Sequence, residues 1–332
     1  MNDVSLNADP RLLADVGGTN ARFAWQAGPG APVQDVCTLA TADFPSLEGA
    51  LRAYLAQTGH SAPPRCAIGI ANPVHGDQIK VTNNHWSFAI SALKAALGFE
   101  ELVVINDFTA LALALPHLQA HEVRVLPGGP TQAEAGQAIG VLGAGTGLGM
   151  GGLLPLRLPG GVLHWAPIEG EGGHICMAPE TELEIGVLRF LQGQLPGRVS
   201  AERLLSGMGL ENLCDAIAHV TGQVPRVGER TAAAISQAGL SGECPVCVQV
   251  LDTFCGLLGS VAGDLALLLG ARGGIYIGGG IVPRLGEFFD RSTFRQRFDN
   301  KGRMSVLTRQ VPVFIIDAAV SPALLGASQA LR

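Results

Sequence analysis

The sequence predicts an α/β protein made of two related halves. Three observations point there. Apolar stretches of strand length alternate with stretches of helical period, the pattern of sheets covered by helices. Two strand–glycine–strand units, at 11–25 and 138–154, share one plan: an apolar run, a turn of glycine and threonine, a second apolar run. The chain has 332 residues, enough for two domains at roughly 150 residues each.

Taken in order, RLLADVGGTNARFAW (11–25) is a hairpin with Gly17 and Gly18 at its tip. SLEGALRAYLAQ (46–57) puts Leu47, Leu51, Tyr54 and Leu55 at helical spacing behind Ser46 as N-cap. CAIGIANPV (66–74) is a buried strand ended by Asn72-Pro73, and 89–97 a short helix. ELVVINDF (101–108) is a buried strand with its polar residues at the C-terminal end. A helix broken at Pro116 follows. After the second hairpin, helices are predicted over 181–195, 199–207, 209–220 and 247–270. The segment 273–280 is a strand ending in glycines, 311–318 a last strand and 321–332 a closing helix.

Composition removes several function classes. Hydrophobic residues make up 47% and charged residues 15%, which excludes a disordered chain. Glycine supplies 45 residues, about twice ordinary usage. The glycines cluster instead of repeating every third residue, so collagen is excluded and close backbone approach to a ligand is favoured. A net charge of −6 without any basic run argues against nucleic acid. The nearest approach to a membrane span is taken as 111–118, which is too short and broken by Pro116. No signal peptide precedes Arg11, and the seven cysteines are odd in number and scattered. Both features predict a cytoplasmic protein with reduced thiols.

The chemistry concentrates in a few places. Gly17, Gly18 and Thr19, and again Gly145, Thr146 and Gly147, form turns that can offer backbone N–H groups to an anion. Two such turns favour a nucleotide phosphate site over two plain hairpins. Asp15 can orient Mg²⁺ through water, the only metal role foreseen. Gly147, Gly149 and Gly152 match a dinucleotide fingerprint. That fingerprint needs a helix at its last glycine, and GGLLPLRLPGG cannot supply one. No P-loop occurs.

Asn106 and Asp107 end a strand, where ligands of open α/β sheets bind. Asp107 is either a general base or a helix cap; Thr109 offers an alternative cap, which weakens the second reading. Glu171, His174 and Glu202 lie among glycines and suit a polyhydroxyl ligand. Glu202 taken alone reads better as a first-turn helix residue favoured by the dipole, with Ser200 as N-cap. His174 and Cys176 lack the further cysteines of a zinc site, and Cys244-Pro245-Val246-Cys247 is an isolated pair.

DVGGTNARFA, ANPVHGD, TNNHW, VINDFTA, GAGTGLG, EGEGGH, VSAERLLSG and GGGIVPR stand in the order found in the bacterial glucokinase family. The resemblance runs from 15 to about 303. It implies a duplicated actin-like ATPase (ribonuclease H-like) fold, with two domains around a cleft. A small domain would comprise 1–117 plus 319–332, and a large domain 118–318. It implies ATP-dependent phosphorylation of the 6-hydroxyl of glucose, with ATP and Mg²⁺ as cofactors, in a zinc-free homodimer. Carried over, Asp107 is the catalytic base, and Asn106, Glu171, His174 and Glu202 are glucose ligands. Asp15, Gly17, Gly18, Thr19 and Asn20 form the first phosphate turn, and Gly145, Thr146 and Gly147 the second. Gly278, Gly279 and Gly280 line the adenine side.

The chain departs from the family pattern at Ile175, Cys176 and Met177, at Met208, and at Asn84-His85. None of these removes a sugar ligand. Two rivals remain: a kinase for another hexose or an amino sugar, and a non-catalytic sugar sensor. The sensor would need a DNA-binding extension, for which the ten residues before Arg11 are too few.

Overall fold

A computed structural model describes residues 9–82 and 84–331. The predicted features at 1–8, Asn83 and Arg332 lie outside the described residues. The chain divides into two compact units. One runs up to Gln119 and resumes at Ala318; the other is Ala120–Asp317.

The first unit contains β1 (Arg11–Val16), β2 (Asn20–Gln26), β3 (Val33–Ala40), α1 (Leu47–Thr58), β4 (Arg65–Ile70), β5 (Gln78–Lys80), β6 (Ser87–Ala89), α2 (Ile90–Leu97), β7 (Glu101–Asn106) and α3 (Asp107–Ala114). A terminal helix, Pro322–Gln329, completes it. Its main sheet has the order β3-β2-β1-β4-β7. Side chains alternate between sheet faces along β1. Leu12, Ala14 and Val16 join a core with Leu51 and Tyr54 of α1. Leu13 joins a second core with Ala110 of α3 and Leu324 of the terminal helix. Both faces are therefore covered, which explains the nearly unbroken apolar run. Ser46 caps α1 by accepting the Gly49 N–H at 3.2 Å, and Gly59 ends it in the left-handed region at φ 74°.

The second unit contains β8 (Val123–Val125), β9 (Ile139–Ala144), β10 (Leu148–Arg157), β11 (Leu163–Ile168), α4 (Glu182–Gln194), α5 (Gly207–Thr221), α6 (Ala232–Leu240), α7 (Pro245–Leu269), β12 (Ile275–Gly278) and β13 (Val313–Ile316). Its sheet has the order β11-β10-β9-β12-β13-β8. The two sheets share one connectivity. β1 and β9 each carry two successive antiparallel strands on one side. On the other side each carries two parallel strands. The related halves legible in the two glycine turns are thus related sheets.

Among the features that differ from expectation, three bear on the fold. The segment 199–207 is not a helix; only Ala201–Arg203 makes a single 3₁₀ turn before Ser206 caps α5. Three residues of helical period cannot hold a helix when the next cap follows within one turn. The longest apolar helix is α7, not the stretch at 111–118. By length and composition α7 is long enough to cross a membrane. It is apolar all round because it is a core helix, with Val250, Phe254 and Leu258 fully buried in one core shared with α4, α5 and α6. The third is β3, an extra strand on the edge of the first sheet: its pattern is exposed and polar and gave no alternation to read.

Candidate active site

In the first unit, the parallel register brings the key positions to one level. Val16 pairs with Ile70, and Ile70 pairs with Asn106. The turn after β1 and the Asn106-Asp107 pair therefore lie at the carboxyl end of the same sheet, two strands apart, roughly 10 Å. Ligands bind open α/β sheets at that end.

Asn106 is the N-cap of α3. Its side-chain oxygen accepts the N–H groups of Phe108 at 2.9 Å and Thr109 at 3.2 Å. Neither alternative cap is used: Thr109 is a buried residue of the helix itself, and Asp107 is its first residue. The Asn106 amide nitrogen reaches the Asn72 carbonyl at 3.4 Å. One oxygen of Asp107 accepts the Phe108 N–H at 2.9 Å.

The first glycine turn is closed by the Gly17 N–H donating to Asn20 O at 2.9 Å. Thr41 braces its tip, its hydroxyl donating to the Gly18 carbonyl at 2.9 Å and its N–H to the Thr19 carbonyl at 2.9 Å. Thr19 and Asn20 are exposed. Asp15 points to the Leu13 face of the sheet. Its Oδ2 accepts the Ser321 hydroxyl at 2.7 Å and an Arg22 N–H at 3.3 Å. Both bonds fall on one oxygen, so the other suits a water of a hydrated Mg²⁺, which keeps most of its waters.

In the second unit, the turn Gly145-Thr146-Gly147 joins β9 to β10 and is closed by Gly145 N–H to Gly147 O at 2.9 Å. The N–H of Gly207, at the start of α5, donates to Gly145 O at 2.8 Å. After Gly147 the chain continues as β10, so the dinucleotide fingerprint has no helix to open. Gly278 pairs with Gly143 across β12 and β9. Gly279 follows at φ 83° with its backbone against Ala144, and Gly280 precedes the helix starting at Ile281.

The three proposed hydroxyl ligands gather around this turn. Glu202 accepts the Leu148 N–H at 3.0 Å. A methyl group on Gly147 would sit 2.5 Å from the same carboxylate oxygen. Gly172–His174 forms a 3₁₀ turn whose Gly173 lies flat against the Leu148 carbonyl, with no room for a side chain. Arg198 donates to the His174 carbonyl at 2.7 Å and approaches the Cys176 sulfur at 3.4 Å. Ala201 N–H donates to Ile175 O at 2.9 Å. These bonds tie the His174 loop to the Glu202 loop. Glu171 and His174 expose their side chains; Glu202 is half-buried.

The Glucokinase family model matches residues 12–332. The chain belongs to the glucokinase family. It is 50% identical to the glucokinase of Chromobacterium violaceum over 96% of this chain and 88% of that one. It is 50% identical to the glucokinase of Aromatoleum aromaticum over 97% of this chain and 94% of that one. The crystal structure of a glucokinase from an Antarctic psychrotroph superposes with a TM-score of 0.86 at 40% identity, covering 97% of this chain and 98% of that one. The fold is the duplicated actin-like ATPase fold of the sugar kinases.

Four bracing residues went unread in the sequence: Thr41, Ser321 and Arg22 in the first unit and Arg198 in the second. Each acts across a long sequence separation or from an opposing strand. Arg22 alone was within reach of the sequence, since a four-residue turn over 17–20 sets it opposite Asp15 on the neighbouring strand.

Proposed function

We propose that the protein is an ATP-dependent glucokinase, transferring the γ-phosphate of ATP to the 6-hydroxyl of glucose. The observation that carries the residue assignment is Asp107 as first residue of α3, one position after a cap that is also an amide donor. Asp107 accepts the proton of the attacking hydroxyl, and Asn106 holds a second hydroxyl. A carboxylate is a weak base toward an alcohol, so the proton moves late, as the bond to phosphorus forms. Glu171, His174 and Glu202 bind the remaining sugar hydroxyls.

Asp15 with the turn at 17–20 and the turn at 145–147 binds the phosphates through backbone N–H groups. Gly278, Gly279 and Gly280 lie on the adenine side. Asp15 would hold Mg²⁺ through water, and the ion would supply neutralisation of charge on the phosphates. The register that levels Asn106 with Val16 supports this division of labour.

The same reading includes a cytoplasmic homodimer. Exposed Leu154, Leu156, Leu158 and Val162 on the β10–β11 hairpin support an apolar contact with a second copy. Seven free thiols support a reducing compartment. A coupled assay of ADP release with glucose, mannose, fructose, galactose and N-acetyl sugars tests the substrate. Release should be fastest with glucose and depend on Mg²⁺. A higher kcat/KM with any other sugar would replace glucose as the substrate.

A further inference from the structure

The mechanism leaves unused a group of three buried thiols in the second unit. Cys244 and Cys247 belong to the segment Cys244-Pro245-Val246-Cys247, and Cys214 lies on α5; all three are fully buried. Cys244 is the N-cap of α7 and Pro245 its first residue, so Cys247 is the third residue of the helix. The Cys244 side chain turns back over the first helical turn. Its sulfur accepts the Cys247 N–H at 3.4 Å. The Arg226 N–H reaches the same sulfur at 3.4 Å. Cys244 and Cys214 are the neighbouring thiols that act on the Cys247 thiol.

A cysteine N-cap with a second cysteine at the third helical position gives a Cys-X-X-Cys pair at a helix N-terminus, the setting in which thiols become reactive. We propose that Cys244 and Cys247 form a redox-active dithiol, closed to a disulfide by a hydroperoxide and reopened by thiols.

The two sulfurs are differentiated. Burial alone would raise the Cys244 thiol, but the Cys247 thiol and the amides of Cys247, Arg226 and Val246 outweigh it and hold it below its ordinary range. Burial, reinforced by Cys244, pushes the Cys247 thiol up to about 12. Cys244 is therefore the sulfur that attacks first. Among the described residues, no group of three or more histidine, cysteine or carboxylate side chains is placed to hold a metal ion. The cover over Cys244 is the irregular segment 223–230 between α5 and α6, in which Val224 is 80% exposed. Opening that segment breaks the Arg226 bond and admits a small oxidant.

With hydrogen peroxide the step balances. The Cys244 thiolate attacks one peroxide oxygen and the O–O bond breaks. The sulfur becomes a sulfenic acid, and the departing hydroxide takes up the proton that Cys244 released. The Cys247 sulfur then attacks the sulfenic sulfur. The S–O bond breaks, the oxygen leaves as water with the Cys247 proton, and the S–S bond forms. Two thiols lose two electrons, which reduce the peroxide to two waters.

The test treats fully reduced wild-type protein with hydrogen peroxide under native conditions, with folding followed by circular dichroism. Remaining thiols are blocked, and the peptide carrying residues 244–247 is weighed. The expected result is a bond within that peptide that joins two of the seven thiols, whatever the state of exposed Cys176, reversed by dithiothreitol and retained in Cys214→Ser. Cys244→Ser should abolish it; the wild-type mass decides the matter even if that variant misfolds. Three results would overturn the proposal: both thiols still blockable after exposed Cys176 has been oxidised, a bond from Cys247 to Cys214, or a bond that appears only as the protein unfolds.

Discussion

Glu202 accepts the backbone N–H of Leu148 at 3.0 Å, so a proposed sugar ligand is also the brace of the second phosphate turn. A carboxylate accepting an amide bond contributes about 1.5–3 kcal/mol, and here that bond fixes the residue that follows Gly147. Glu202→Ala should therefore raise KM for ATP as well as for glucose, each by roughly tenfold or more. Steady-state kinetics with each substrate varied separately will check this. A rise confined to glucose would reduce Glu202 to a sugar ligand.

Glu171 and His174 flank Gly172-Gly173, which lie against β10. Their exposed side chains make no bond that holds the turn, so their loss should be felt through substrate alone. Glu171→Gln and His174→Ala should each raise the glucose KM by about 10-fold to 100-fold, the scale of a lost hydrogen bond to a charged or polar partner. The KM for ATP and the melting temperature should stay near wild type. Unchanged glucose KM in both variants would move the sugar site elsewhere.

Gly326 of the terminal helix sits against the backbone of Ala110 in α3, with no space for a methyl group. Gly326→Ala forces the two helices apart, and overpacking of this kind costs about 1–3 kcal/mol. Because α3 begins at Asp107, the displacement reaches the proposed base. The variant should melt several degrees lower, at about 2–4 °C per kcal/mol, and should lose kcat. Calorimetry and kinetics on the same preparation will show whether the two losses appear together.

Asp9 pairs with Arg65 at 2.8 Å and with Arg11 at 3.2 Å. Partial burial would raise its carboxyl, but Arg65 and then Arg11 outweigh it and hold the group below its ordinary range. A lowered folded pKa means the stabilisation is present above the unfolded value and is lost as pH falls through the folded one. Asp9→Asn should lower the melting temperature at pH 7 by about 2 °C, the scale of a partly exposed pair. The gap from wild type should close at pH below about 3.9. A gap independent of pH would contradict the ion-pair account.

The sequence showed the parts of this molecule that are local. The hairpins at Asp15 and Gly145 were legible because glycine and threonine interrupt apolar runs, and Ser46 was legible as a cap because its partner is three residues away. Asn106 was read as a sugar ligand while its capping bonds to Phe108 and Thr109 went unseen. An asparagine before an aspartate fits two roles equally well by spacing. What the sequence could not show is non-local. Ser321 reaches Asp15 across 306 positions, and Arg198 reaches His174 through a loop that carries no periodic pattern. The helix expected over 199–207 failed for the same reason: its apolar residues face a core assembled by α4, α5 and α7, and helical period was not what placed them.

The most direct test of the account is Asp107→Asn, measured for turnover and for glucose binding in the same preparation. The amide keeps the shape of the side chain and an acceptor for the Phe108 N–H, but it cannot take a proton. Turnover should fall by about 10² to 10⁴, the scale of a positioned base. Glucose affinity by calorimetry should stay within a few-fold of wild type. A variant that phosphorylates glucose at the wild-type rate would contradict the assignment of Asp107 and, with it, the mechanism built on the carboxyl end of β7.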